Sequence, residues 1–351
     1  MTQKKIRVGV IMAGISSEKE VSLESGRNIV NKMDKNKYEA FPLFMDKNAG
    51  FWLIPLKLLL KNSTSDIEDE LAESAQRISY EELREKIDLA FLGVHGKFGE
   101  DGCLQGLLEL LGVPYTGSGV LSSALGMDKL ASRKIFAING LDVPMTIAVE
   151  ATSWKINREA EIQKISKDIP FPCVVKPSRE GCSTAVAKVL SREELIVAVD
   201  SALLWDSVVL VEEFIEGIEV TCGVIGDDEP LALVPSETIP TKSILSLEDK
   251  FLYGQGENKT PARVSAATIL KIQETAVAAF RTLALKGYAR IDMFVRQNGS
   301  VAVLEPNTLP GMTPSTVLFH QAAEFGITQS ELLDKIINSA LKVHAEKKGP
   351  L

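Results

Sequence analysis

The chain has 351 residues, of which 45% are hydrophobic and 25% charged, enough for two or three domains with cores of their own. Its formal net charge is −8, from 39 basic and 47 acidic residues, and no stretch forms a basic stripe, which argues against nucleic acid as the main partner. Four cysteines without CxxC spacing indicate a reducing compartment, and no apolar run is long enough for a signal peptide or a membrane span. We therefore expect a cytoplasmic protein.

Residues 6–12 form a continuous apolar run, typical of a strand that a parallel sheet buries on both faces. A helix follows, for which Ser17 and Glu20 predict a capping box. Glu18 lies in the first turn of this helix. It is either a carboxylate favoured by the helix dipole or a ligand-binding group at the carboxyl end of a parallel strand, and the residues alone leave both open. The turn lacks GxGxxG, so a dinucleotide-dependent oxidoreductase is not supported.

A second buried strand is predicted at residues 88–94, and HGKFGEDG follows it. His95 stands at the end of that strand, and Glu100 and Asp101 make the next loop polar. A single histidine is often structural, but its position after a buried strand favours a role in a site. A helix at residues 104–111 should end at Gly112, before a short strand at 113–115.

The middle of the chain carries features that favour a nucleotide. A helix is predicted at residues 121–138, and a β run ends in Lys176 before the polar loop SREGCST. Lys129 and Lys176 offer positive charge for phosphates. A strand at 208–211 leads into Glu212 and Glu213, whose backbone can bind an adenine, and Glu219 is available for ribose hydroxyls. Without a GxxxxGK[ST] motif, a P-loop enzyme is not expected.

A β-hairpin is predicted near the C-terminus, where apolar runs at residues 289–295 and 301–304 flank an Asn-Gly pair. Oxygen ligands converge on one of its faces beside Arg290, and they are Asp292, Glu305 and Asn307. This set is typical of a hard-cation site, with magnesium and nucleotide phosphates as the expected occupants. The alternative is a surface hairpin with scattered acids, which leaves the following loop, TLPGMTP, unexplained.

Six motifs together resemble those of the D-alanine–D-alanine ligase family, in the ATP-grasp superfamily. They are SSEKEVSLESG, VHGKFGEDGCLQGLLELLGVPYTGSG, MDKLASRK, VVKPSREG, ARIDMF and LEPNTLPGMTPS, in the family's order and over nearly the whole chain. The resemblance implies an α/β protein with an ATP-grasp fold, α+β in its ATP-binding part. It implies a Rossmann-like preATP-grasp domain at residues 1–120, a central subdomain at 121–213 and a C-terminal subdomain at 214–351.

The resemblance also implies the reaction. ATP would phosphorylate the carboxylate of one D-alanine, and the amine of a second would attack the acyl phosphate to give D-alanyl-D-alanine, ADP and phosphate for peptidoglycan synthesis. ATP is then a substrate, and magnesium or manganese is the expected metal, with two ions. A homodimer is the assembly that the family leads us to expect.

Site residues follow from the same resemblance, position by position. Matches to the catalytic positions are Glu18, Cys182, Arg290 and Gly311, of which Arg290 and the Gly311 N–H would bind the oxyanion. Matches to the substrate contacts are Val21, His95, Phe251, Thr316 and Val317. Matches to the nucleotide contacts are Lys129, Lys176, Glu212, Glu213, Ile215, Glu219 and Lys250. Matches to the metal ligands are Asp292, Glu305 and Asn307.

Two positions depart from the family, which has a Ser where this chain has Cys182 and a Tyr where it has Phe251. Since both hydroxyls are absent together, we expect an apolar contact in place of a hydrogen-bonded latch. Relatives that make D-alanyl-D-lactate can also carry Phe at the second position, so a depsipeptide ligase is the nearest alternative. A nucleotide-binding regulator without catalytic activity is a third hypothesis.

Overall fold

The computed structural model describes residues 4–181, 184–239 and 257–347. Cys182, Lys250 and Phe251, and with them the predicted latch, lie outside these residues. No helix in the described parts of the chain is long and apolar enough to cross a membrane.

The N-terminal layer is a five-stranded sheet in the order β4-β3-β2-β1-β5. Its strands are β1 (Ile6–Ala13), β2 (Tyr38–Met45), β3 (Phe51–Leu53), β4 (Gln76–Ile78) and β5 (Leu89–Leu92). The predicted parallel pairing is confirmed for β1, which is parallel to both β2 and β5. The apolar residues of β1 from Val8 onward are buried because helices cover the sheet. Helices of this part are α1 (Lys19–Lys32), α2 (Thr64–Glu68), α3 (Leu71–Ser74), α4 (Leu83–Lys86) and α5 (Cys103–Leu111), with a 3-10 helix at Leu56–Leu60.

The capping box predicted for α1 is wrong. The helix begins one residue later than that motif requires, with Glu18 as its N-cap and without a side-chain cap. Ser16 instead accepts a hydrogen bond from the Glu18 N–H and donates one to the His95 carbonyl. Glu20 turns away and accepts hydrogen bonds from Thr64, so tertiary contacts outweigh the local motif.

The central layer is a four-stranded antiparallel sheet in the order β6-β9-β7-β8. Its strands are β6 (Thr146–Glu150), β7 (Cys173–Pro177), β8 (Ala187–Val189) and β9 (Val208–Glu213), and its helices are α8 (Ala151–Asp168) and α9 (Arg192–Ala202). The helix predicted at residues 121–138 is two helices, α6 (Val120–Met127) and α7 (Lys129–Ile138). Asp128 adopts an extended conformation between them and caps α7 through its side chain. Phe136 of α7 packs in the core of the C-terminal sheet.

The C-terminal sheet is antiparallel, in the order β13-β12-β10-β14-β15, with β11 beside β10. Its strands are β10 (Gly217–Ile225), β11 (Leu231–Ala232), β12 (Ser236–Ile239), β13 (Glu257–Lys259), β14 (Tyr288–Arg296) and β15 (Val301–Asn307). Helix α10 (Ala266–Thr282) packs against this sheet. The last helices, α11 (Val317–Glu324) and α12 (Gln329–Ala345), join the core of the N-terminal layer instead. The loop between β15 and α11 therefore passes from one layer to the other.

Candidate active site

The predicted hairpin is confirmed, with Gly299 at φ 78° in its turn. Across β14 and β15, Asp292 lies opposite Glu305, and Arg290 lies opposite Asn307. Because alternate residues of a strand share a face, these four side chains lie on the same side of the sheet. A β-bulge directly after Asp292 marks this point, and bulges are common next to active sites.

Asp292 is surrounded by donors. Its Oδ1 accepts hydrogen bonds from Arg290 Nε at 2.8 Å and Thr221 Oγ1 at 2.6 Å. Its Oδ2 accepts from Arg290 Nη2 at 2.9 Å and Asn307 Nδ2 at 3.0 Å. Burial opposes the charge of Arg290, but the nearby Asp292 and Glu305 carboxylates raise the pKa of this guanidinium above its ordinary value. The Arg290 guanidinium therefore carries its positive charge at the two bonds to Asp292.

The side-chain oxygens of Asp292, Glu305 and Asn307 are of the kind that bind a hard cation. Two carboxylates lie opposite each other, and the Asn307 amide donates through Nδ2, which leaves its oxygen for another partner. Lys129 Nζ lies 3.0 Å from Glu305 Oε2 and partly balances the acidic charge. The described residues contain no group of three His, Cys, Asp or Glu side chains placed to hold a metal. The metal set here, with two carboxylates and an amide, stays a prediction.

A small cavity of about 60 Å³ opens on one side of Arg290. Predicted site residues that line it are Glu18, His95, Lys129, Arg290, Glu305, Asn307 and Gly311, and Glu100 lies among them. Two glycines bring loops against the Glu18 carboxylate, since a Cβ on Gly96 or Gly181 would lie 2.9 or 2.3 Å from Glu18 Oε1. Gly96 also has φ 73°, which favours glycine. Glu18 is thus buried where the N-terminal layer meets the loop after β7.

His95 is held by both ring nitrogens. Its Nδ1 lies 2.9 Å from the Leu309 carbonyl oxygen, and its Nε2 lies 2.8 Å from Ser25 Oγ. Burial lowers the pKa of His95 to about 4, so the ring is neutral at physiological pH. Glu100 accepts the N–H groups of Gly96 and Leu309, and burial together with the nearby Glu18 carboxylate raises the pKa of Glu100.

A second cavity, of about 50 Å³, lies on the other side of Arg290. Predicted site residues that line it are Glu219, Arg290, Asp292, Thr316 and Val317. Thr316 is the N-cap of α11, and its Oγ1 lies 2.9 Å from Thr313 Oγ1. Its hydroxyl therefore stands at a helix N-terminus, a favourable place for a carboxylate. Arg290 lines both cavities.

The predicted phosphate-binding lysines lie near carboxylates. Lys176 Nζ is 3.0 Å from Glu212 Oε2, and Arg133 bonds the other oxygen of Glu212. Burial and Arg133 lower the pKa of Lys176 to about 8. Burial opposes the charge of Glu212, but its two cationic partners lower the pKa of this carboxyl. Lys129 Nζ donates to the Glu180 carbonyl oxygen at 2.6 Å and so links the loop after β7 to Glu305.

The remaining predicted residues lie apart from the two cavities. Glu213 forms an ion pair with Arg296 at 2.6 Å and accepts the Met145 N–H. Ile215 is buried just beyond β9. Val21 is half-buried on α1 and lines neither cavity.

Comparisons with known proteins agree with this geometry. A family model described as "D-ala D-ala ligase N-terminus" matches residues 7–118, and one described as "D-ala D-ala ligase C-terminus" matches residues 135–338. The D-alanine–D-alanine ligase of Geobacillus thermodenitrificans is 37% identical over 98% of this chain and 97% of that protein. The chain belongs to the D-alanine–D-alanine ligase family.

Solved structures of the family share the fold. The VanG D-Ala:D-Ser ligase of Enterococcus faecalis is 31% identical with a TM-score of 0.85, covering 96% of this chain and 100% of that one. The Bacillus anthracis D-alanine–D-alanine ligase complexed with ATP is 33% identical with a TM-score of 0.75, covering 98% and 100%. The ATP-grasp fold predicted for this D-alanine–D-alanine ligase family member is therefore confirmed.

Sequence reasoning missed several polar residues of this ligase site. Glu100 was assigned only to a polar loop, although it lies in the motif that carries His95. Thr221 and Arg133 bond the carboxylates of Asp292 and Glu212, respectively. Glu100 carried a sequence signal because it follows a buried strand together with His95, and Arg133 lies in the MDKLASRK motif, whereas Thr221 carried none.

Proposed function

We propose that this protein uses ATP to join two molecules of D-alanine into D-alanyl-D-alanine, with release of ADP and phosphate. The observation that carries the proposal is the pair of small cavities on either side of Arg290. One holds buried carboxylates suited to an ammonium group, and the other has hydroxyls and a helix N-terminus suited to a carboxylate.

In the first step, a carboxylate oxygen of D-alanine attacks the γ-phosphorus of ATP, and ADP leaves. Glu18 would bind the ammonium group of this D-alanine within the first cavity. Lys129 and Lys176 would face the transferred phosphate and lower its negative charge. Magnesium bound by Asp292, Glu305 and Asn307 would supply neutralisation of phosphate charge.

In the second step, the amine of the other D-alanine attacks the acyl carbon, a C–N bond forms, and the C–O bond to phosphate breaks. The leaving phosphate can take the proton that the amine loses. Arg290 and the Gly311 N–H would stabilise the oxyanion between these two events, since both line the first cavity. Thr316 would hold the carboxylate of the second D-alanine at the start of α11.

We further propose a cytoplasmic location, a homodimer, the use of two magnesium or manganese ions, and domain limits at residues 120 and 213. Glu212, Glu213, Ile215 and Glu219 are proposed nucleotide contacts, and Val21 and Val317 are proposed substrate contacts.

An isotope experiment tests the two-step chemistry. D-Alanine labelled with ¹⁸O in its carboxylate should transfer one ¹⁸O to the released phosphate, because the acyl phosphate breaks on its carbon side. One ADP should form for each dipeptide. Phosphate without ¹⁸O, or ADP release that does not require D-alanine, would contradict the proposal.

A further inference from the structure

The segment that carries Gly311 is held at both ends by the N-terminal layer. On one side, the Leu309 N–H donates to Glu100 Oε1 at 3.0 Å, and the Leu309 carbonyl lies 2.9 Å from His95 Nδ1. On the other side, the Met312 N–H donates to Ser25 Oγ at 3.0 Å, and Asn28 Nδ2 donates to the Met312 carbonyl at 2.8 Å. We call these four side chains, Ser25, Asn28, His95 and Glu100, the backbone clamp.

With a neutral His95 ring, the donor and the acceptor of each hydrogen bond of His95 and Ser25 can be assigned in one way. The Leu309 carbonyl can only accept, so His95 carries its proton on Nδ1. The Nε2 of a neutral ring then accepts, and the Ser25 hydroxyl donates to it at 2.8 Å. The Ser25 oxygen remains free to accept the Met312 N–H. A second proton on His95 would make Nε2 a donor, so the Ser25 oxygen would accept both Nε2–H and the Met312 N–H, and the Ser25 hydroxyl would lose its acceptor on His95.

Three of the four clamp residues are buried, and Glu100 is partly buried. Ser25 is 0% exposed, Asn28 4% and His95 5%, and their partners Leu309 and Met312 are 2% and 0% exposed. Buried hydrogen bonds that cannot be replaced by water fix geometry more strongly than surface ones. All four backbone groups that flank Pro310 and Gly311 are therefore fixed relative to β5 and α1. The chemistry itself is carried by β14 and β15 of another layer.

We propose that Ser25, Asn28, His95 and Glu100 are positioning residues that hold the Gly311 N–H in place for the acyl-transfer step. This inference rests on the proposed function. His95 acts through Leu309 rather than as a proton donor or acceptor toward substrate, because both of its ring nitrogens are already in use. An oxyanion donor must lie within a few tenths of an ångström of its optimum, and a displacement of about 1 Å can cost about 100-fold in rate.

The test uses Ser25→Ala and Asn28→Ala in the full-length protein. We expect kcat for dipeptide formation to fall by about tenfold or more in each variant, with the KM for ATP within about twofold of wild type. Asn31→Ala is the matched control, because Asn31 lies on the same helix and is exposed. It should leave kcat unchanged. Glu100→Gln keeps one acceptor oxygen and should retain more activity than Glu100→Ala.

Two further readouts separate positioning from a folding defect. The ratio of ADP to dipeptide should rise above one in Ser25→Ala and Asn28→Ala, because slower amine attack leaves the acyl phosphate exposed to water, which returns D-alanine and phosphate. The double variant should lose less than the product of the two single losses, because both bonds hold the same segment.

The outcomes separate the two proposals. If the wild type is active and the folded variants keep its kcat and an ADP-to-dipeptide ratio of one, the clamp proposal is overturned and the proposed function stands. A lower melting temperature with unchanged kcat would assign these residues to stability and also overturn it. Wild-type enzyme that makes no dipeptide would overturn the proposed function and the clamp together.

Discussion

The two cavities beside Arg290 differ in the chemistry of their walls. Buried or partly buried ionisable groups line the first cavity, among them Glu18, His95 and Glu100. The second cavity is lined mostly by neutral side chains, among them Thr221, Thr238, Asn258, Thr313, Ser315 and Thr316, beside the charged Glu219, Arg290 and Asp292. Changing a buried charge leaves its partner unpaired, whereas neutral polar side chains can be exchanged at lower cost. With the two cavities assigned as proposed, we expect charge to select the first substrate and acceptor preference to change more easily.

The largest effect is expected at the wall that both cavities share. Arg290→Lys should lower kcat for dipeptide formation by about 100- to 1,000-fold, because a lysine cannot keep the paired bonds to Asp292 and still face the oxyanion. Steady-state assays with D-alanine measure this. Arg7→Lys is the matched control, since Arg7 makes a similar paired contact with Asp88 far from the cavities. Equal activity of both variants would remove Arg290 from its proposed role.

A second prediction concerns Glu305, which lines the first cavity only. Glu305→Gln should raise the Mg²⁺ concentration for half-maximal activity by about tenfold or more, because a carboxylate ligand becomes a neutral amide. Removing divalent ions with a chelator should abolish dipeptide formation in wild type, and added Mg²⁺ should restore it. A Mg²⁺ dependence unchanged by Glu305→Gln would contradict the proposed metal set.

Asn258 places a buried hydrogen-bond acceptor in the wall of the second cavity. Asn258 Oδ1 is buried and has no hydrogen-bond partner among residues 4–181, 184–239 and 257–347. We expect Asn258→Ala to raise the KM for D-alanine as acceptor by about three- to tenfold, the effect of one hydrogen bond, and to leave the KM for ATP unchanged. In D-alanine titrations with separate high- and low-affinity phases, only the phase of the acceptor D-alanine should shift. A shift in the phase of the first D-alanine would instead assign Asn258 to the first substrate.

The smallest effect is on stability against pH. The pKa of His95 is lowered to about 4 in the folded protein, from 6.5 in the unfolded chain, so the unfolded state binds a proton first. Its contribution to the free energy of unfolding is present above pH 6.5 and is lost as the pH falls toward 4. His95→Gln should flatten this part of the stability profile, measured by denaturant unfolding. His320→Gln, at an exposed position, should leave the profile unchanged.

Sequence patterns predicted those parts of the site that depend on local structure. The hairpin follows from two apolar runs around Asn298-Gly299, and the pairing of Asp292 with Glu305 across it is seen only in the structure. His95 follows from the rule that parallel strands present ligand-binding residues at their carboxyl ends, whereas the residues alone leave the role of Glu18 open. Much of the catalytic assignment rested on family motifs rather than on spacing.

The clamp could not be predicted in the same way. Asn28 and Ser25 bond the backbone of Met312, which is 284 and 287 residues away along the chain. Because their partners are backbone groups, no residue type in the sequence marks the contact. Both side chains lie on α1, where the sequence pattern shows only polar positions of an amphipathic helix. The break at Asp128 was also missed, because the apolar pattern continues through it while its side chain caps the following helix.

Product analysis tests the central claim most directly. The purified protein would be given ATP and Mg²⁺ with D-alanine alone, and then with D-alanine and D-lactate, at neutral and mildly acidic pH. The account predicts D-alanyl-D-alanine as the main product in both mixtures. D-Alanyl-D-lactate as the main product would contradict it and favour the depsipeptide alternative that Phe251 raised. Bound ATP with no product would place the protein with the nucleotide-binding regulators.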